Sequence, residues 1–252
     1  MIKRMMLVFF VLLVLVSGNV YAEKADEIVN KCIKAMGGVE KIKAIKTMQI
    51  MGKSFQGAME LPVFVQIKRP DKIRVEATVQ EQVVIQAFDG TNAWQIIPFL
   101  GSNEPNIISE EDAKFLKMQA DIDGPLIDYK KKGNSIELVG EEDMEGTPVI
   151  KLKVTLKNGE TENLYFDAEN YMLLKRSIKI MKQENEIQVD GYYSDYKEVD
   201  GVMLPYTSES KAGGRTISLF TIEDVKMNKE IDDAVFAMPP KSKPKEEPSE
   251  KK

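Results

Sequence analysis

The sequence predicts a mainly β protein of the α+β class: an unclosed antiparallel β half-barrel of about eleven strands, with short helices plugging its concave face. Three observations lead there. From about residue 45 to 227, apolar residues recur with period two, the spacing of strands that bury one face and wet the other. Short turn sequences, Arg69-Pro70-Asp71, Asp89-Gly90, Asn158-Gly159 and Asp200-Gly201, join neighbouring runs. Turns that short make neighbours antiparallel, because parallel pairs need long crossovers. Helical patterns are few and short, too few to cover such a sheet as a flat layer. A strongly twisted sheet of this size curls, and a curled sheet can wrap its helices and leave an apolar interior suited to an apolar ligand.

The elements follow in chain order. Lys3 and Arg4 precede an unbroken apolar run, Leu7 to Val16, then Ser17-Gly18-Asn19 and Val20-Tyr21-Ala22. A basic head, an apolar core and small residues before a cleavage point describe a signal peptide over 1–22, cut after Ala22. The run is shorter than the roughly 20 residues that a membrane helix needs. The mature chain is therefore expected in an exported compartment. A single domain is expected over 23–238. Over 25–36, Ala25, Ile28, Val29, Cys32, Ile33 and Met36 share one helical face, and Gly37-Gly38 stops the helix. Cys32 reads as a small buried hydrophobe on that face.

The strand runs come next. Val63, Val65 and Ile67 alternate with Phe64, Gln66 and Lys68, and Ile73, Val75, Ala77 and Val79 with Arg74, Glu76, Thr78 and Gln80. In the second half, Ile150, Leu152, Val154 and Leu156 alternate with Lys151, Lys153, Thr155 and Lys157. Unpaired lysines cannot face a closed core, so their neighbours must. The expected cavity wall is Val63, Val65, Ile67, Ile73, Val75 and Trp94 with Leu152, Val154 and Phe166; Ile150, Leu156 and Leu164 share that inner face. Between the two runs, Ser109 followed by Glu110, Glu111 and Asp112 opens a helix like a capping box. Phe115 and Leu116 of that helix are expected to join the cavity, and Gly124-Pro125 ends it. A short turn follows near Leu126 to Tyr129. Together these form an insertion over about 99–133, far above the usual loop length and therefore a candidate lid or binding element. The tail over 239–252, PPKSKPKEEPSEKK, reads as disordered, because it has nothing to bury.

Composition narrows the chemistry. The 252 residues are 43% hydrophobic and 30% charged, with no histidine, one cysteine and a net charge of -5. Histidine-dependent triads, histidine-ligated metals and histidine general bases are excluded, as are intrachain disulfides and thiolate clusters. An acidic chain without a basic stripe argues against nucleic acid. Asp121-Ile-Asp123-Gly124 resembles the start of a calcium loop, but the glycine comes two positions early and the closing glutamate is missing. No metal and no cofactor is expected.

Gln66-Ile-Lys-Arg-Pro-Asp-Lys-Ile-Arg74 and Phe88-Asp-Gly-Thr-Asn-Ala-Trp-Gln-Ile-Ile-Pro-Phe99 carry a family resemblance. So do Ser194-Asp-Tyr-Lys-Glu-Val-Asp-Gly-Val-Met-Leu-Pro-Tyr206 and the closing Asp233-Ala-Val-Phe236 with Pro239-Pro240. Across most of its length the chain resembles the LolA-like superfamily of periplasmic lipoprotein carriers and outer-membrane lipoprotein-sorting proteins. That resemblance implies an unclosed barrel with helices in its mouth. It also implies a role for Arg69, whose family counterpart binds lid-helix backbone and clamps the closed state. The family phenylalanine four residues on is Ile73 here. The receptor member of the family is a lipoprotein, and no cysteine follows the expected cleavage site, so the receptor role is not expected. The implied function is a soluble, monomeric, non-enzymatic carrier of lipoprotein acyl chains or free lipid toward the outer membrane, served by membrane-bound donor and acceptor proteins. The alternatives are a lipid- or lipoprotein-sensing adaptor using the same cavity and a carboxylate-based hydrolase.

Overall fold

The computed structural model describes residues 24–101, 103–182 and 185–241. The expected signal peptide and residues 242–252 of the expected tail lie outside them. The described residues form a mainly β fold with short helices. The helices are α1 (24–35), α2 (Val39–Ala44), α3 (Glu110–Ala120) and α4 (Tyr129–Lys132). The strands before the insertion are β1 (Thr47–Gln56), β2 (Met59–Lys68), β3 (Lys72–Val79), β4 (Gln82–Phe88) and β5 (Ala93–Ile96). Within the insertion lies β6 (Asn106–Ile107). After it come β7 (Ser135–Met144), β8 (Thr147–Thr155), β9 (Thr161–Asp167), β10 (Leu173–Lys182), β11 (Asn185–Val199), β12 (Val202–Ala212) and β13 (Arg215–Met227).

The strands make one open antiparallel sheet in the order β6-β5-β4-β3-β2-β1-β13-β12-β11-β10-β9-β8-β7. The count is thirteen where about eleven was expected. The excess includes β6, a two-residue strand hidden in the insertion, too short to show a period. Apart from β13 beside β1, every neighbour in the sheet is also a neighbour in sequence. Local turns therefore specify almost the whole topology.

The described residues divide into two compact units. The first contains 24–44, 54–60 and 123–222. Its helix α1 ends as the glycine pair predicts: Gly38 N–H reaches the Ile33 carbonyl at 2.9 Å, closing the last turn. Gly37 is required twice over. Its φ is +119°, and a Cβ there would stand 2.5 Å from the Gly201 carbonyl oxygen. Met203 N–H donates to the Met36 carbonyl at 3.0 Å and fixes the end of α1 to β12. Asp26 of α1 accepts from the Tyr129 hydroxyl and pairs with Lys130 of α4 at 2.7 Å. On β8 and β9, Ile150, Leu152, Val154, Leu164 and Phe166 are buried and Lys153 is exposed, the register read from the lysine alternation. On the opposite face Lys151, Tyr165, Lys175, Tyr192 and Lys211 alternate as a row of cation–π contacts of 4.7–5.4 Å.

The second unit contains 45–53, 61–122 and 223–241. Here α3 packs on β3 and β4. Ser109 caps α3 as expected, accepting from Asp112 N–H at 3.1 Å. Lys117 lies 5.0 Å from the Phe88 ring centre, which assigns α3 to the sheet face carrying Phe88. The other face of β3–β5 is covered by the segment ending at Phe236. Trp94 Nε1–H donates to the Phe236 carbonyl at 2.8 Å, and Arg74 donates to the Val235 carbonyl at 3.2 Å while lying over the Trp94 ring.

Candidate functional site

Apolar side chains left partly uncovered on a sheet face that is otherwise buried make the candidate site, and the strand registers determine which residues share that face. In the second unit Ile67 pairs with Ile73 and Ile73 with Phe88, while Val65 pairs with Val75 and Val63 with Ala77. Directly paired residues point to the same side. Val63, Val65, Ile67, Ile73 and Val75 therefore do share one face, the face that α3 covers. Ile67 and Ile73 are buried, whereas Val63, Val65 and Val75 are half-buried.

Trp94 requires a correction. It pairs with Ala87, and Ala87 with Arg74, so it stands on the opposite face from Ile73. It is wholly buried under the Phe236 segment and acts as core, not as a wall of the α3-side surface. Its alternation within β5 was legible; its side relative to Ile73 on β3 depends on two intervening turns, where a single residue more or less exchanges the faces. Leu116 is buried on α3, whereas Phe115 is 50% exposed. Leu152, Val154 and Phe166 lie in the first unit, so the residues expected to line one cavity are divided between the two units.

Arg69 continues the Val63, Val65, Ile67 parity. Its Nε–H donates to the Ile45 carbonyl at 2.6 Å, and its backbone N–H to the Lys46 carbonyl at 3.0 Å. Ile45 is the residue directly after α2. A carbonyl just past a helix C-terminus lacks an intrahelical donor and lies at the negative end of the dipole, so it suits a guanidinium. Close by, an open recess of about 600 Å³ is lined by Lys46, Thr47, Lys68 and residues 228–233. Lys68 and Lys72 hold Asp233 at 2.8 and 3.1 Å, which makes this recess polar.

In the first unit the buried face of β8 and β9 continues onto β10 and β11. Ile178 pairs with Glu162 and Val189, and Ile180 with Ile187. Ile178, Ile187 and Val189 are half-buried and Ile180 is 39% exposed, so this end of the face is uncovered. Sequence reasoning passed over two charged residues on the same face. Glu162 is 2% exposed and is held by Arg176, whose Nε–H donates to Glu162 Oε2 at 2.5 Å. The signal was present, since Glu162 shares the parity of Leu164 and Phe166, and Arg176 that of Ile178.

Cys32 has no exposed surface, and burial pushes its thiol up to about 12. At neutral pH it is neither a nucleophile nor a metal ligand. Among the described residues no three carboxylate or cysteine groups gather as a metal site, and no helix is long and apolar enough to cross a membrane. Asp121 terminates α3, and Asp123 lies in the turn that follows.

No protein-family model and no curated protein matches the sequence. Solved structures do resemble the chain in fold. A domain assigned to outer membrane lipoprotein sorting from Vibrio parahaemolyticus superposes with a TM-score of 0.57 at 13% identity, over 85% of this chain and 97% of that one. A LolA superfamily protein from Nitrosomonas europaea gives 0.56 at 14% identity, over 84% and 97%. A DUF1329 family protein from Desulfovibrio piger gives 0.57 at 11% identity, over 84% and 97%.

Proposed function

On the premise of its LolA-like fold, we propose that the protein is an exported, soluble binder of acyl chains that carries lipoprotein or free lipid through the periplasm toward the outer membrane. The observation that carries this reading is the uncovered part of two apolar faces. Val63, Val65 and Val75 are only half-buried on the face that carries α3, and Ile178, Ile187, Val189 and Ile180 extend beyond the closed core of β8 and β9. Exposed apolar surface of this kind is a cost to a free protein and the binding energy of a carrier. Burying a methylene is worth about 0.8 kcal/mol, so a sixteen-carbon chain resists water by roughly 12 kcal/mol. Such a chain does not cross an aqueous space without a protein around it.

Within this reading Arg69 is a latch rather than a ligand contact: it binds main chain beside the end of α2 and leaves the apolar surface free for cargo. No residue is assigned a catalytic step. Donor and acceptor proteins at the two membranes would load and unload the carrier, which works as a monomer.

Native mass spectrometry of the protein isolated from the periplasm tests the proposal. The expected result is a population carrying adducts of lipid mass, which delipidation removes and a long-chain fatty acid or lipopeptide restores. A protein that arrives free of lipid and takes up neither probe overturns it.

A further inference from the structure

We propose that Glu162, Arg176 and Tyr193 form a polar subsite that accepts an uncharged, hydrogen-bond-donating head of an acyl lipid, a hydroxyl or an amide N–H, while the chain lies along Ile178, Ile180, Ile187 and Val189. This deepens the acyl-binding reading and rests on it.

The placement follows from register. Glu162 stands between Val154 of β8 and Ile178 of β10, and Arg176 between Leu164 of β9 and Gly191 of β11. A carboxylate and a guanidinium are thus set into an apolar face, where neither is tolerated without partners. Arg176 answers only half of the need. Its Nε–H and a terminal nitrogen both engage Oε2 of Glu162. Oε1 is buried and has no hydrogen-bond partner among the described residues. An ionised carboxylate oxygen in that position calls for a donor.

Gly191, directly opposite Arg176, makes room for the third member. A Cβ on Gly191 would stand 3.1 Å from Tyr193 Oη, so the phenol leans back over the glycine toward Arg176. Burial raises the pKa of Tyr193 and keeps its hydroxyl protonated, able both to donate and to accept.

The trio lies at a boundary. Toward β8 and β9 its neighbours Val154 and Leu164 are fully buried, whereas toward β10 and β11 the apolar row is partly open. A chain laid on that open row would bring its polar end to Glu162 Oε1. The free carboxylate oxygen repels an anionic head and gains nothing from one without a donor, so the preferred ligand is neutral and carries O–H or N–H.

The test compares two probes of equal chain length on the delipidated full chain, by displacement of a fluorescent fatty acid: monopalmitoylglycerol, which has donors, and methyl palmitate, which has none. The wild type is expected to prefer the glyceride by about tenfold, the value of a hydrogen bond to a charged group. In Glu162→Leu/Arg176→Met the preference should fall to within about twofold. That double change removes the buried pair together, a replacement that folded proteins tolerate, and circular dichroism checks that the fold remains. If both probes bind the wild type equally, the subsite is wrong and acyl binding stands. A tenfold preference that survives in the double variant also overturns the subsite. If neither probe binds, the acyl-binding reading falls with it.

Discussion

Cys32, Trp94 and Arg69 are single residues whose surroundings determine what they do. The folded protein holds the Cys32 thiol neutral up to about 12, against 9.0 for an unperturbed thiol. The unfolded chain ionises first as pH rises. The stability contributed by keeping Cys32 neutral is therefore complete below about pH 9 and is lost progressively as pH climbs toward 12. Urea midpoints measured from about pH 8 to 11 should fall more steeply for the wild type than for Cys32→Ala; parallel curves would mean that the thiol ionises freely in the native state. Trp94→Phe keeps an aromatic ring in the core but strips the Phe236 carbonyl of its donor. A loss of about 1–3 kcal/mol is expected, measured by circular dichroism because Trp94 is the sole tryptophan. Arg69→Leu removes the donor to Ile45 without leaving a buried charge, so the fold should persist. Cargo should still be accepted, and its passage to acceptor vesicles should be slower than in the wild type. Unchanged transfer would reduce Arg69 to a residue that only orders the chain before Pro70.

The ends of several secondary-structure elements carry local signals that can be tested. Helix α3 begins with Ser109 bonded to Asp112 N–H and three acids in its first turn, which satisfies otherwise orphaned donors and opposes the dipole. Ser109→Ala should cost about 1 kcal/mol in chemical denaturation. The hairpin between β3 and β4 turns through Gln80 and Glu81, with φ of 48° and 67°. Two non-glycine residues in the left-handed region are costly, and Asn-Gly fits that turn far better. Gln80→Asn/Glu81→Gly should therefore raise stability by about 1 kcal/mol, and a lowered urea midpoint would contradict the turn geometry. The edge strand β7 carries Glu137, Glu141 and Glu142 and a register shift between Leu138 and Gly140. Charge and irregularity of this kind discourage pairing with another sheet.

For the molecule as a whole the most consequential fact is a missing residue type. With no histidine in 252 residues, no unperturbed side chain titrates near neutrality. Ligand binding should be flat between about pH 6 and 8 and indifferent to a chelator. A tenfold loss of affinity with chelator would direct attention to Asp121 and Asp123. Each unit buries its own apolar interior, one around Leu152, Leu164 and Phe166, the other on both faces of its strands, with Ile73 on the α3 side and Trp94 under Phe236. Both interiors are built on a sheet in which nearly every pairing is local.

Apart from α2, a six-residue helix too short to show a period, the sequence by itself determined the class of the fold, the start of α3, the stop of α1 and the alternation of side chains within β2, β3 and β8. All of these depend on interactions within a few residues: the period of two on β2, β3 and β8, the cap at Ser109, and the glycines after Met36. Tertiary structure alone decided how the faces of different strands combine and what covers them. Trp94 lies opposite Ile73 because two turns set the register between them, and its cover arrives from Phe236, at the far end of the chain. The pair of Glu162 and Arg176 shows the same division. Each has an inward parity readable in its own strand, but only the register of β9 with β10 brings them together, and only the packed structure leaves one carboxylate oxygen without a partner.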